Sequence, residues 1–137
     1  MLGGITKPVL PPYLMPHRPV VAKVEPDDIL PRQDGTWYLR RPPGEFAFFA
    51  ITVEWCKFCK QFERSVHEAM ISRPFPFLHM DGDALAAKWK MRDMGLKISY
   101  PKVFVVLRDG TLIPYERKKD ADELIASLDF LDTAVSP

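Results

Sequence analysis

A chain of 137 residues, 47% of them hydrophobic, is long enough to bury one real core and too short to hold two domains comfortably. Nineteen basic against 18 acidic side chains leave a formal charge of +1, which gives no global field to draw nucleic acid or an anionic membrane. The most apolar stretch, Phe46 to Val53, falls far short of the roughly 20 residues that span a bilayer, and prolines interrupt any secretory apolar region. A cytoplasmic protein, with neither nucleic acid nor membrane as partner, is the resulting expectation.

Nine of the 14 prolines fall within the first 43 residues, and Pro8, Pro11, Pro12, Pro16 and Pro19 crowd one segment. Proline lacks the N–H that a helix interior or a central strand needs, so residues 1–19 are expected to be an extended proline-rich arm and 20–137 the domain. Val20 to Val24 reads as a strand, Pro26 to Leu30 opens a helix that Pro31 and Gly35 cut short, and Thr36 to Leu39 is extended. Phe46 to Val53 is a continuous apolar run, as in a strand covered on both faces.

A helix follows over Cys59 to Ile71, where Phe62, Val66, Ala69 and Met70 recur at helical spacing. Phe75 to Met80 is the next strand, and Ala84 to Met94 a helix stopped by Gly95. Lys102 to Leu107, the turn Arg108-Asp109-Gly110-Thr111 and Leu112 to Tyr115 predict a hairpin, and Pro114 predicts that its second strand borders the sheet. Asp120 or Asp122 caps a last helix with an apolar stripe of Leu124, Ile125, Leu128 and Leu131. Trp37 and Trp89 read as core or half-buried residues, and the runs Arg40-Arg41 and Arg117-Lys118-Lys119 as solvated surface. Strands alternating with helices make a layered α/β domain.

Cys56 and Cys59 are the only two cysteines, too few for a disulfide framework and spaced for dithiol chemistry or metal binding. At a strand-to-helix junction the first sulfur meets unpaired N-terminal N–H groups, which favour thiolate, as does Lys57; Glu54 opposes weakly. Cys59, one turn on, is placed to resolve a mixed disulfide formed at Cys56. His17, His67 and His79 have no finger-like spacing from this pair, so no metal is expected.

The core Glu54-Trp55-Cys56-Lys57-Phe58-Cys59-Lys60 within Phe48 to Phe62 resembles the thioredoxin superfamily, including protein disulfide isomerase domains. Tyr100-Pro101 before the hairpin, Arg108-Asp109-Gly110, Tyr115 and Asp122-Glu123-Leu124-Ile125 extend the resemblance across roughly residues 20–131. It implies a thioredoxin-like α/β fold, a central mixed β-sheet flanked by helices on both faces. The activity it implies is thiol–disulfide exchange with protein cysteines, without a cofactor, in company with a reducing or oxidising partner protein. Cys56 and Cys59 would be catalytic, Trp55, Lys57 and Phe58 would surround them, and a cis-Pro101 loop would let the Tyr100 backbone pair with an extended substrate.

Departures from the family pattern accompany the resemblance. Lys57-Phe58 replaces Gly-Pro or Gly-His, Tyr100 is bulkier than usual, and Lys102 stands where threonine is common. Ala50 occupies the place of the buried acid six residues before the first cysteine, with Phe77 expected at the position of the lysine across from it. Arg117 corresponds, at shorter spacing, to an arginine that assists the second cysteine of isomerase domains. An alternative reading is therefore a thioredoxin-fold binding or adaptor module with vestigial redox activity.

Overall fold

The computed structural model describes residues 22–135, so the arm expected at 1–19 lies outside the described residues, as do Val20 and Val21. In chain order the elements are β1 (Ala22–Lys23), a single 3-10 turn (Pro26–Asp28), β2 (Ile29–Pro31), β3 (Trp37–Leu39), β4 (Ala47–Thr52), α1 (Lys57–Ser72), β5 (Phe77–Asp81), α2 (Leu85–Asp93), β6 (Lys102–Val106), β7 (Thr111–Pro114) and α3 (Ala121–Val135). One seven-stranded mixed sheet runs β1-β5-β4-β6-β7-β3-β2. β5 is parallel to β1 and to β4, and every other pairing is antiparallel. No helix among the described residues is long and apolar enough to cross a membrane.

All six residues of β4 are buried, because both faces of the strand carry core. Phe48 and Ala50 look toward α1 and α3, which contribute Phe62, Val66, Met70, Leu124 and Leu128. Ala47, Phe49 and Ile51 look the other way, toward Ala87 and Met91 of α2. Full burial of each large side chain is worth about 1.5–3 kcal/mol, and the aromatic geometry adds to it. Phe48 stands edge-on to Phe75 at 5.4 Å and to Tyr115 at 5.2 Å between ring centroids, contacts worth roughly 0.5–1.5 kcal/mol each beyond area. Arg73 at the end of α1 bonds Asp129 at 2.6 Å and also Asp132, both on α3.

Three expectations are corrected by long-range pairing. The helix opened by Pro26 is only the 3-10 turn, because Asp28 accepts from the Glu25 N–H at 3.0 Å and Ile29, fully buried, already pairs with Leu39. Strand β7 does not border the sheet; it lies between β6 and β3. Pro114 is tolerated because β3 pairs no further than Trp37 opposite Leu112, so no partner awaits the missing N–H on that side. The edge proline is Pro31, at the end of β2. Trp89 is 59% exposed, since α2 buries Ala87 and Met91 on its opposite side.

At the hairpin, Asp109 Oδ1 accepts from the Thr111 N–H at 3.0 Å and from its hydroxyl at 2.7 Å. Gly110 follows with φ of 91°, and a Cβ there would stand 2.8 Å from the Leu39 carbonyl oxygen. Gly110→Ala is therefore expected to cost about 1–3 kcal/mol of stability, read as a lower urea midpoint with unchanged slope.

Candidate active site

Strand β4 ends at Thr52, and the chain turns through Val53, Glu54 and Trp55, with the Cys56 N–H donating to the Val53 carbonyl at 3.2 Å. Cys56 then stands as the N-cap of the 16-residue α1, in extended backbone with φ −90° and ψ 114°. Its Sγ accepts the Cys59 backbone N–H at 3.1 Å. A sulfur thus does what a Ser or Asp oxygen does at most helix starts, taking one of the four N–H groups that have no partner inside the helix. No acidic side chain occupies the first turn, which leaves the positive end of the helix dipole to the sulfur.

Both cysteines are free thiols, and they differ in surroundings. Cys59 is 1% exposed and packs with Val53 and Tyr100. Burial pushes its thiol up to about 12, and the hydrogen bond with Cys56 acts in the same direction, opposed by a backbone bond to Val53. Cys56, also buried by its neighbours, opens on a cleft of about 400 Å³ with Trp55, Lys57, Phe58 and Tyr100. The Tyr100–Pro101 peptide is cis, and Tyr100 packs against the cysteine cluster.

Trp55 and Tyr100 are held by specific bonds. The Tyr100 hydroxyl donates to the Gly82 carbonyl at 2.9 Å, and its ring meets Trp55 edge-on at 5.9 Å. The Trp55 indole N–H donates to the Asp83 carboxylate at 3.1 and 3.3 Å. Gly82 is glycine for want of room: a Cβ there would overlap the Tyr100 ring and lie 2.9 Å from its hydroxyl. Trp55 nevertheless remains 70% exposed and Phe58 67%, so the sulfurs sit in an aromatic surround that faces solvent.

Behind the dithiol, Ala50 and Phe77 lie in one buried apolar cluster. Ala50 is fully buried among apolar neighbours, but the residue across from it on β5 is His79, whereas Phe77 pairs with Phe48. His79 Nε2 lies 2.5 Å from Thr52 Oγ1, in a polar cleft of about 510 Å³ that also holds Lys23, Glu54, Lys60, Glu63 and Asp81. Burial holds the imidazole below its ordinary value of 6.5, Lys23 adds to this, and Glu63 and Asp81 oppose it. Sequence reasoning weighed His79 only as a metal ligand; the period of two along β5 places residues 77, 79 and 81 on one face, and only the register decides which faces Ala50. Arg117 is paired elsewhere. It bonds Glu123 at 2.5 Å, in a separate cleft with Ile113 and Phe130 that contains neither cysteine.

The sheet order, the helix that starts on a cysteine and the cis-proline loop facing it together define a thioredoxin fold. The similarity extends to solved structures: the J-Trx1 fragment of ERdj5, 15% identical with a TM-score of 0.59, matches 83% of this chain and 52% of that one. Thioredoxin f2 of Chlamydomonas reinhardtii, 14% identical with a TM-score of 0.55, matches 86% of this chain and 99% of its own. Thioredoxin f2 in complex with ferredoxin:thioredoxin reductase is 13% identical with a TM-score of 0.53, over 81% of this chain and 94% of that chain. This chain therefore spans about half the length of the ERdj5 fragment and nearly all of a thioredoxin. No protein-family model and no curated protein sequence matches it.

Because His79 takes up a proton less readily when folded than its reference value of 6.5, the unfolded chain binds more protons between the two values. Stability is full above about pH 6.5 and is lost as pH falls through the folded value. The drop in urea midpoint between about pH 7.5 and 5 is expected to be smaller in His79→Gln than in the unaltered protein.

Proposed function

We propose that this protein is a thiol–disulfide oxidoreductase acting on protein cysteines, with Cys56 as nucleophile and Cys59 as resolving thiol. The observation that supports this best is the 3.1 Å hydrogen bond from the Cys59 N–H to Cys56 Sγ at the head of α1. It aims a donor at the sulfur that carries negative charge when it attacks or leaves. The Cys56 sulfur bonds to one sulfur of a substrate disulfide, and the other leaves as thiolate. Cys59 then loses its proton and attacks Cys56 Sγ, releasing the second substrate thiolate and closing a Cys56–Cys59 disulfide. Two protein thiols are oxidised while one substrate disulfide gains two electrons, and a reducing partner protein restores the dithiol; the reductase bound to a similar thioredoxin supports a partner of that kind.

Trapping tests the assignment. Cys59→Ser is expected to accumulate a mixed disulfide through Cys56 with a reducible protein such as insulin, and Cys56→Ser to accumulate none, as read on non-reducing gels. No adduct with Cys59→Ser would remove the catalytic roles.

The proton of Cys59 has a specific difficulty. Burial, the largest cause that raises the Cys59 thiol, persists once Cys56 is bonded to substrate, and Ala50 stands where an acid would serve as base, so little thiolate is expected at neutral pH. The resolving step should rise about tenfold per pH unit from roughly pH 6 to 9 without a plateau, measured by stopped-flow release of substrate from a preformed Cys56 adduct. A plateau near neutrality would show that another base takes the proton.

Fully buried Ala50 also favours a second reading, a binding module that uses its exposed Trp55 and Phe58 while its redox chemistry is vestigial. Insulin reduction no faster than that of free dithiothreitol at equal dithiol concentration is the outcome that reading requires.

A further inference from the structure

Two clefts share Phe58 as a wall, one lined by Cys56 and the other by Pro101. One, of about 400 Å³, carries Lys57 and Lys88; the other, of about 360 Å³, carries Lys118 and Lys119 beside Pro101. Each cleft also holds one carboxylate, already engaged within the protein. Asp83 accepts from the Trp55 indole at 3.1 Å, and Asp120 accepts from the Glu123 N–H at 2.9 Å as the cap of α3. None of the four lysines forms an ion pair among the described residues. Two lysines against one carboxylate leave each cleft one positive charge in excess, a local excess on both sides of Phe58 in a chain whose formal charge is only +1.

We propose that the disulfide partner is an extended polypeptide segment with an aromatic or branched apolar residue next to its cysteine and acidic residues on both sides of it. This names the substrate class of the oxidoreductase reading and rests on it. The apolar residue covers Phe58, 67% exposed, and Ile98, 54% exposed, where removing apolar surface from water is the favourable term. The acidic residues meet the lysines at each end. A single exposed pair contributes little, but several like charges within a Debye length of roughly 8–10 Å act as one field, raising the association rate and rejecting basic sequences. An extended backbone fits because neither the N–H nor the C=O of Tyr100 has a backbone partner among the described residues, which leaves both free to pair as in a strand. A nucleic acid would meet the same lysines but has no sulfur for Cys56 and no peptide groups for Tyr100.

The test uses the full-length reduced protein and two peptide disulfides that differ only in carrying glutamate or lysine at the flanking positions, with neutral 2,2′-dipyridyl disulfide as reference. At about 20 mM salt the acidic peptide is expected to oxidise the dithiol about tenfold faster than the basic one, the ratio falling toward one near 1 M. The Lys118→Glu/Lys119→Glu variant should lose or invert that ratio, which is internally normalised for any change in intrinsic thiol reactivity. Equal peptide rates, a ratio indifferent to salt or to charge reversal, or stronger inhibition by a single-stranded oligonucleotide than by an acidic peptide would overturn the proposal. If dipyridyl disulfide oxidises Cys56 and Cys59 while the peptides react alike, only the acidic-substrate inference falls. If it leaves both thiols untouched, the oxidoreductase reading falls with it.

Discussion

The backbone N–H of Cys59 has no acceptor within its own helix, and the bond it makes to Cys56 Sγ fixes where α1 begins and what stands at its head. That bond holds only if the helix cannot slide along the sheet. Phe62, Val66 and Met70 lock it against β4 and β5, and Arg73 ties its far end to Asp129 and Asp132 on α3. Beneath it β4, buried on both faces, can shift register only by exposing Phe48 or Phe49 and the core around them. The position of one sulfur is thus paid for by the packing of two cores.

The loop facing that sulfur is fixed by different means. Tyr100 is joined to Gly82 through its hydroxyl and to Trp55 through its ring, and Trp55 to Asp83 through its indole. Polar ends of large aromatics thus reach partners while their faces stay available, the arrangement that suits a surface needing both order and apolar area. Behind the dithiol the chemistry is opposite in kind. Ala50, Phe77 and Phe62 form an apolar wall, and the polar groups that a base would need are displaced to Thr52 at the end of β4 and His79 on β5.

What was legible in the sequence was local. The apolar run of β4, the 3.6-residue recurrence of Phe62, Val66 and Met70, the Asp109-Gly110 turn and the Asp120 cap each follow from a few adjacent residues, and each stands where its pattern indicates. Cys56 and Cys59 were legible for the same reason, since their spacing carries the geometry. What was not legible depends on register and sheet order. Pro114 looked like an edge residue because nothing nearby reveals that β3 stops at Trp37. That His79 stands opposite Ala50 was not legible because only the register of β5 on β4 decides it. Lys118 and Lys119 read as ordinary surface until the fold brought them beside Pro101.

Of the three tryptophans, Trp55 alone shares a cleft with Cys56; Trp37 lies under the Lys90 ammonium, and Trp89 projects from α2 into solvent. An excited indole is quenched strongly by an adjoining disulfide and less by a thiol. On the oxidoreductase reading, the side chain that orders the loop around the dithiol would for that reason also report its oxidation state. On that reading the emission of the unlabelled protein would carry a record of its own electron count.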